Sequence, residues 1–187
     1  MSESLITKKA LAESIKQLME TTPLSKISIQ MIVDNCGLNR TTFYYHFQDK
    51  FDLVNWIYYT EAIESIADYK SYDTWIDGIY RILLYLMNNK AFYINALNTP
   101  EQNGFDRYLF KVTHELIKNV LDHVADGLDV SEEDKNFISD FYNHAFVGIA
   151  LQWAKNGMKE SPERIVNILK DIVEGSMLRA VTRHAKR

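Results

Sequence analysis

The sequence predicts an all-α chain: a three-helix helix-turn-helix headpiece joined by a lever helix to a helical body. Three observations predict it. Seven Gly and three Pro in 187 residues leave few breaks, which suits long helices better than strands. Apolar residues recur at three- and four-residue spacing along most of the chain. The run from Ser28 to Phe47, SIQMIVDNCGLNRTTFYYHF, carries the stop, corner and restart of a helix-turn-helix.

In chain order, Ala10, Leu11, Ile15, Leu18 and Met19 form the first amphipathic stripe, and Ile27 helps to close a small core. Ile29, Ile32, Val33 and Cys36 give the next helix its apolar side. Gly37 stops that helix, because a residue without Cβ adopts the left-handed backbone cheaply. Leu38 is placed to plug the core beneath the corner, and Asn39 is a favoured N-cap for the helix that follows. There Phe43 and Phe47, four apart, share the side that buries. Arg40, Thr41, Tyr44 and Tyr45 fall on other faces. A short helix presented in this way offers polar side chains to the major groove of DNA.

Asp49 can cap a lever helix running from Lys50 to about Asp68 through Val54, Ile57, Ile63 and Ile66, broken at Ser71 to Asp73. Thr74 begins a helix through Ile79, Leu83 and Met87, and a short helix follows over Ala91 to Leu97, ended by Asn98, Thr99 and Pro100. Phe105 to about Asp126 reads as helix with Leu109, Val112, Leu116 and Val120 on one stripe, and Gly127 ends it. Ser131 and Asp134 resemble a capping box at the start of a helix that runs to Asn156, where Gly157 stops it. Ser161 and Pro162 open a final helix to about Arg183. Phe137, Phe141, Ala145, Gly148 and Gln152 form one stripe of these last two helices; Ile165, Ile168, Leu169, Ile172, Ser176 and Leu178 fall near another. The small residues Ala145, Gly148, Gly175 and Ser176 favour close helix approach.

An apolar fraction of 47% excludes a disordered chain. No apolar run approaches the ~20 residues that span a bilayer, and the N-terminus lacks a signal-peptide pattern. The single cysteine, Cys36, falls on a buried stripe and suits a small core residue. These features fit a cytoplasmic protein without disulfides. The net charge of −4 is unevenly spread: residues 1–50 hold six basic and five acidic side chains, and the remainder 15 and 20. The acidity lies in the body, and nonspecific DNA affinity should be low and salt-sensitive.

Enzyme chemistry finds little support. His46, His114, His123, His144 and His184 are scattered, with no His pair at i, i+4 spacing to clamp a metal. Asp140 and His144, four apart, suit a surface or pocket hydrogen bond better than a catalytic dyad. There is no Gly-rich phosphate loop and no nucleophile elbow. No cofactor, metal or catalytic residue is expected.

Over Thr7 to about Leu53, and above all in SIQMIVDNCGLNRTTFYYHFQDKFDL, the chain resembles the DNA-binding headpiece of the TetR family of transcriptional regulators. The resemblance implies a headpiece at residues 1–50, with its motif at about 28–47, and a helical effector-sensing and dimerisation domain at 51–187. It implies a homodimer on partly palindromic double-stranded DNA, the last two helices pairing with their mates. On the matching positions, Ser28 looks like a phosphate contact and Gln30 like a base or phosphate reader. Arg40 and Thr41 sit where the recognition helix meets base edges, Arg40 suited to guanine and Thr41 to a thymine methyl. Tyr44 matches a phosphate-binding tyrosine, and Thr42, His46 and Lys50 look like further backbone contacts. Tyr45 suits either task. Each also has a plain alternative as a solvated surface residue, and His46 as a capping or packing one.

Family bodies usually enclose a small-molecule pocket between the middle helices, and Trp56, Tyr59, Tyr80, Tyr85, Tyr93, Tyr108, Tyr142 and Trp153 would suit one. Aromatics at helical spacing equally suit ordinary core, so effector-binding residues stay unassigned. The stretch FYNHAFVGIALQWAKNGMKESPERI resembles a branch that includes regulators of dihydroxyacetone kinase operons. That likeness implies activation or repression of a small metabolic operon, through a small-molecule effector or a kinase-like co-regulator protein. The alternative is a helical protein-interaction module that acts with a co-regulator protein.

Overall fold

The computed structural model describes residues 3–69, 74–99, 104–173 and 175–185. Helix α1 spans Glu3–Met19 and buries Leu11, Ile15 and Met19 along one stripe. A turn of 3₁₀ helix at Leu24–Lys26 leads to α2, Ile29–Asn35, and α3, Arg40–His46. The corner between α2 and α3 forms as its residues dictate. Gly37 sits at φ 69°; its N–H donates to the Asp34 carbonyl at 3.3 Å, and the Leu38 N–H to the Val33 carbonyl at 2.9 Å. This pair of bonds satisfies the last carbonyls of α2 and redirects the chain. Asn39 Oδ1 then accepts the Thr42 N–H at 2.9 Å, a cap worth about 1 kcal/mol.

Helix α4, Lys50–Tyr58, is capped by Asp49, whose Oδ1 accepts the N–H groups of Phe51 and Asp52, each at 2.8 Å. The expected lever helix is a composite. Beyond Tyr58 the rod continues as a π turn at Tyr59–Ile63 and a 3₁₀ turn at Glu64–Ile66. Tyr58, Tyr59, Ile63, Glu64 and Ala67 all keep right-handed helical angles. The rod therefore widens and tightens without breaking. The breaks expected at Ser71 to Asp73 and at Pro100 lie outside the described residues.

The body adds α5 (Trp75–Asn88), α6 (Lys90–Leu97), α7 (Phe105–Val124) and α8 (Glu132–Lys155). The Ser131 hydroxyl accepts the Asp134 N–H at 3.1 Å and donates to its carboxylate at 2.6 Å. Helices α7 and α8 run antiparallel: Asn143 Nδ2 donates to the Phe110 carbonyl at 3.0 Å, and Lys118 reaches Glu132 towards the other end. Gly157, at φ 74°, ends α8 with the same paired bonding as Gly37.

The expected final helix is two helices, α9 (Pro162–Val173) and α10 (Ser176–His184). Gly175 between them is left-handed at φ 71°. A glycine expected to permit close approach instead terminates a helix, because it takes this conformation without a Cβ clash. The stripes of the last helices do not pack entirely within the chain. Phe137 and Phe141 on α8, Ile168 and Ile172 on α9, and Leu178 on α10 stay exposed.

One apolar core runs from headpiece to body, from Leu11, Ile15 and Phe43 through Val54 and Tyr58 to Leu86, Tyr93 and Phe105. A second cluster, with Leu121, Ile138, Tyr142, Met177 and Val181, joins α7, α8 and α10. Polar ties reinforce the first. Asn95 of α6 donates to the Met19 and Thr22 carbonyls at 2.9 and 2.8 Å. Lys16 of α1 pairs with Glu61 in the π turn at 2.6 Å, and Tyr85 of α5 donates to the same carboxylate at 2.6 Å. Burial pushes the Tyr85 and Tyr93 hydroxyls upward, so both keep their protons at neutral pH and Tyr85 acts as a donor.

Candidate nucleic-acid interface

Helix α3 is short, and its two faces differ sharply. Phe43 is fully buried, and its ring meets that of Phe47 with centroids 5.9 Å apart. Burying two such rings supplies roughly 1.5–3 kcal/mol each and fixes how the helix rolls on its scaffold. Tyr44 is therefore left 51% exposed and Tyr45 82% exposed. Large apolar rings held in water by a rigid helix are suited to contact with another surface.

Arg40 and Thr41 are exposed at the start of α3. The Arg40 guanidinium lies 5.9 Å from the Tyr44 ring centre and donates to its hydroxyl at 3.5 Å, a long bond. This contact groups cation and phenol on one outer edge. Tyr45 meets His46 edge-on at 4.9 Å. His46 is half-buried and lies 6.4 Å from the Phe47 ring, so it partly packs. Thr42 is half-buried, and its hydroxyl donates to Asn39 Oδ1 at 3.2 Å, which reinforces the cap.

Three expected contacts carry local duties. The Ser28 hydroxyl accepts the Met31 N–H at 3.2 Å and so caps α2. Gln30 is exposed, and its amide donates to Asp34 one turn on at 2.7 Å. Lys50 has its ammonium on three backbone carbonyls, those of Leu24 at 2.6 Å, Ile27 at 2.8 Å and Ser25 at 3.2 Å. It lashes the approach to α2 onto the start of α4, and any phosphate must share it with those carbonyls.

Sequence reasoning missed Asn95 and Glu61 and took Tyr85 only as a pocket or core aromatic; these three hold the headpiece to the body. Asn95 leaves a trace: it is the one amide side chain between Ala91 and Leu97, and polar groups in packed surroundings need partners. The Asp140–His144 pairing takes the bland form. His144 Nδ1 bonds the Asp140 backbone carbonyl at 2.8 Å, while the carboxylate faces His114 at 3.2 Å. Among the described residues no group of three His, Cys, Asp or Glu could hold a metal ion, and no helix is long and apolar enough to cross a membrane.

This helix-turn-helix, set on a helical body, defines a DNA-binding transcriptional regulator. Residues 11–57 match the model of bacterial regulatory proteins of the tetR family, and residues 73–175 that of a transcriptional regulator C-terminal region. The chain belongs to the TetR family of transcriptional regulators. Among curated proteins it is similar to the HTH-type dhaKLM operon transcriptional activator DhaS of Lactococcus lactis subsp. lactis (strain IL1403). The two are 28% identical over 172 residues, 90% of this chain and 91% of the relative. Among solved structures it is similar to the dihydroxyacetone kinase operon activator DhaS, with TM-score 0.69, 24% identity, and coverage of 97% of this chain and 99% of that one. It also resembles NalD, the secondary repressor of the MexAB-OprM multidrug efflux pump in Pseudomonas aeruginosa. There the TM-score is 0.59 with 15% identity, over 100% of this chain and 99% of that one. The structural likenesses bear on the fold. Family membership makes the chain a regulator rather than an enzyme and does not favour a stand-alone interaction module.

Proposed function

We propose that this chain acts in the cytoplasm as a homodimer that binds a partly palindromic duplex and controls a small metabolic operon, such as one for dihydroxyacetone kinase. Residues 1–50 act as the DNA-binding headpiece and 51–187 as the sensing and dimerisation domain. The observation that carries the reading is the division of α3 into a buried phenylalanine side and an outer edge with Arg40, Tyr44 and Tyr45. In this reading Arg40 and Thr41 meet base edges, Tyr44 grips phosphate, and Tyr45 joins either contact. Ser28, Gln30, Thr42 and His46 border the duplex backbone. Lys50 chiefly holds the loop before α2 in place, its charge close to that backbone.

The exposed apolar side chains of α8, α9 and α10 support dimerisation, and a two-fold axis would match two half-sites. The operon assignment is supported by likeness to the DhaS proteins. The regulator activates or represses in response to a small-molecule effector or a kinase-like co-regulator protein. The deciding experiment is a gel shift with DNA upstream of the chain's own gene and of neighbouring kinase genes. Specific retention, competed by the same duplex and weakened by salt, supports the reading. Equal affinity for unrelated duplexes refutes it.

A further inference from the structure

We propose that the body also touches the bound duplex: Arg107 and Lys111 of α7 pair with backbone phosphates beside the corner between α3 and α4. This rests on the proposed DNA-binding role of the headpiece and adds a second contact surface to it. Arg107 and Lys111 are exposed and lie one turn apart on one face of α7. Together with Gln48, Asp49 and Asp52 they line an open cleft of about 340 Å³. Gln48 and Asp49 follow the end of α3 and lead into α4. The two cations therefore stand next to the segment between His46 and Lys50, which the proposed reading sets along the DNA backbone.

The headpiece alone is poorly supplied for that backbone, which attracts a protein through the cations it brings. Of the six basic side chains in residues 1–50, Lys16 is paired with Glu61 and Lys50 holds three carbonyls. Lys8 lies over the rings of Phe47 and Trp56, 5.5 and 5.6 Å from their centres. Arg107 and Lys111 have no such duty: among the described residues neither makes an ion pair or a hydrogen bond. The carboxylates of the cleft are turned elsewhere. Asp49 Oδ1 accepts the Phe51 and Asp52 N–H groups at 2.8 Å each, and Asp52 Oδ2 accepts the Gln48 N–H at 3.0 Å. Both face the N-terminus of α4, whose dipole offsets their charge.

A chain of packed rings fixes these cations relative to the reading helix. Phe105, buried at the start of α7, meets Tyr58 of α4 with ring centres 5.1 Å apart and Tyr93 of α6 at 5.3 Å. Trp56 of α4 meets Phe47 at the end of α3 at 5.7 Å. A duplex docked on α3 thus finds both cations already in position, and little ordering of the backbone opposes the contact. The cations belong to the body and not to α3, so they reach phosphates rather than base edges. Their contribution is independent of sequence.

The test compares the full chain with Arg107→Ala, Lys111→Ala and the double variant in gel shifts over a range of salt. The duplexes are the upstream DNA and single-base variants of it. Each single variant should bind all of them about fivefold more weakly at low salt, and the salt dependence should become shallower by about 1 per cation removed. Circular dichroism, Tm and mass by light scattering should match the unaltered chain. Arg107→Gln and Lys111→Gln are the second pair should an alanine variant fail to fold. Duplexes with single methylphosphonates then locate the contact: neutralising one phosphate should weaken the unaltered chain and leave the matching variant unchanged. An unchanged salt dependence in the double variant, a loss confined to one base pair, or equal sensitivity of all chains to every neutralised phosphate would overturn the contact. The unaltered chain reports separately on the regulator reading. If it binds no duplex specifically, that reading fails; if it binds and the double variant equals it, only the body contact fails.

Discussion

Asn95 in the body accepts the backbone N–H of Leu24 in the headpiece at 2.8 Å. With its two donated bonds to the Met19 and Thr22 carbonyls, one side chain closes the end of α1 and the turn after it. The headpiece is thus fastened to α6 as well as to the lever. Asn95→Ala strands three backbone groups and should cost roughly 1–3 kcal/mol, read as a lower urea midpoint. Asn95→Asp keeps an acceptor for Leu24 but turns oxygen towards the other two carbonyls, so it should rescue little. Full rescue by Asp would show that the two donated bonds are idle.

Arg40→Ala should cost roughly 1–3 kcal/mol of DNA binding and relax base choice at one position in each half-site. Tyr44→Phe removes only a hydroxyl and should weaken all duplexes alike. Affinities for a panel of single-base operator variants separate the two. A Tyr44→Phe loss confined to one base pair would contradict the phosphate role proposed for it.

Phe141 and Ile172 are 66% and 68% exposed in the single chain. Phe141→Glu and Ile172→Glu should therefore leave the monomer fold intact and break the proposed dimer. Light scattering should show half the mass with unchanged helical circular dichroism. A dimer that survives both changes would locate the interface elsewhere.

Burial raises the pKa of Tyr108 to about 12, and those of Tyr58, Tyr85 and Tyr93 also lie above the usual phenol range of about 10. Between pH 10 and about 12 the unfolded chain releases the Tyr108 proton while the folded chain keeps it. The folded state then binds more protons, so stability falls as pH rises. The contribution is complete below pH 10. Urea midpoints at pH 8 and pH 11, with tyrosinate absorbance, should show the drop, and a flat profile would remove burial as the cause.

A Cβ on Gly37 would meet nothing within 4 Å, so at φ 69° its substitution is opposed by the backbone alone. Gly37→Ala should cost roughly 1–2 kcal/mol, and Gly37→Asn less, because Asn tolerates the left-handed region better. Thermal melts of the two variants give the order.

The headpiece was legible because its signals are local. Gly37, Leu38, Asn39 and the Phe43–Phe47 pair each act within one or two helical turns, and each does in the fold what its chemistry requires. The division of α9 from α10 was missed for the opposite reason: Gly175 lies within an otherwise regular apolar period, and periodicity alone does not distinguish a small packing residue from a left-handed stop. The wide turn at Tyr59–Ile63 left no pattern, since its residues differ little from those of an ordinary helix. Lys50 was read only as a contact to the DNA backbone, because the three carbonyls it holds lie more than 20 residues away in sequence. Long-range ties of that kind become visible only once the chain has folded.

The wide turn in the lever also has a mechanical meaning. A π turn carries one residue more than the regular helix around it, and each residue of an α-helix spans about 100° of rotation and 1.5 Å of length. If that surplus residue migrates along the rod, the segment it crosses swivels about its own axis while the rod stays whole. Such a swivel would turn the headpiece about the rod's axis without parting the rod. Glu61, seated in that turn and bonded from two sides by Lys16 and Tyr85, ties the surplus residue to the place it occupies in this fold.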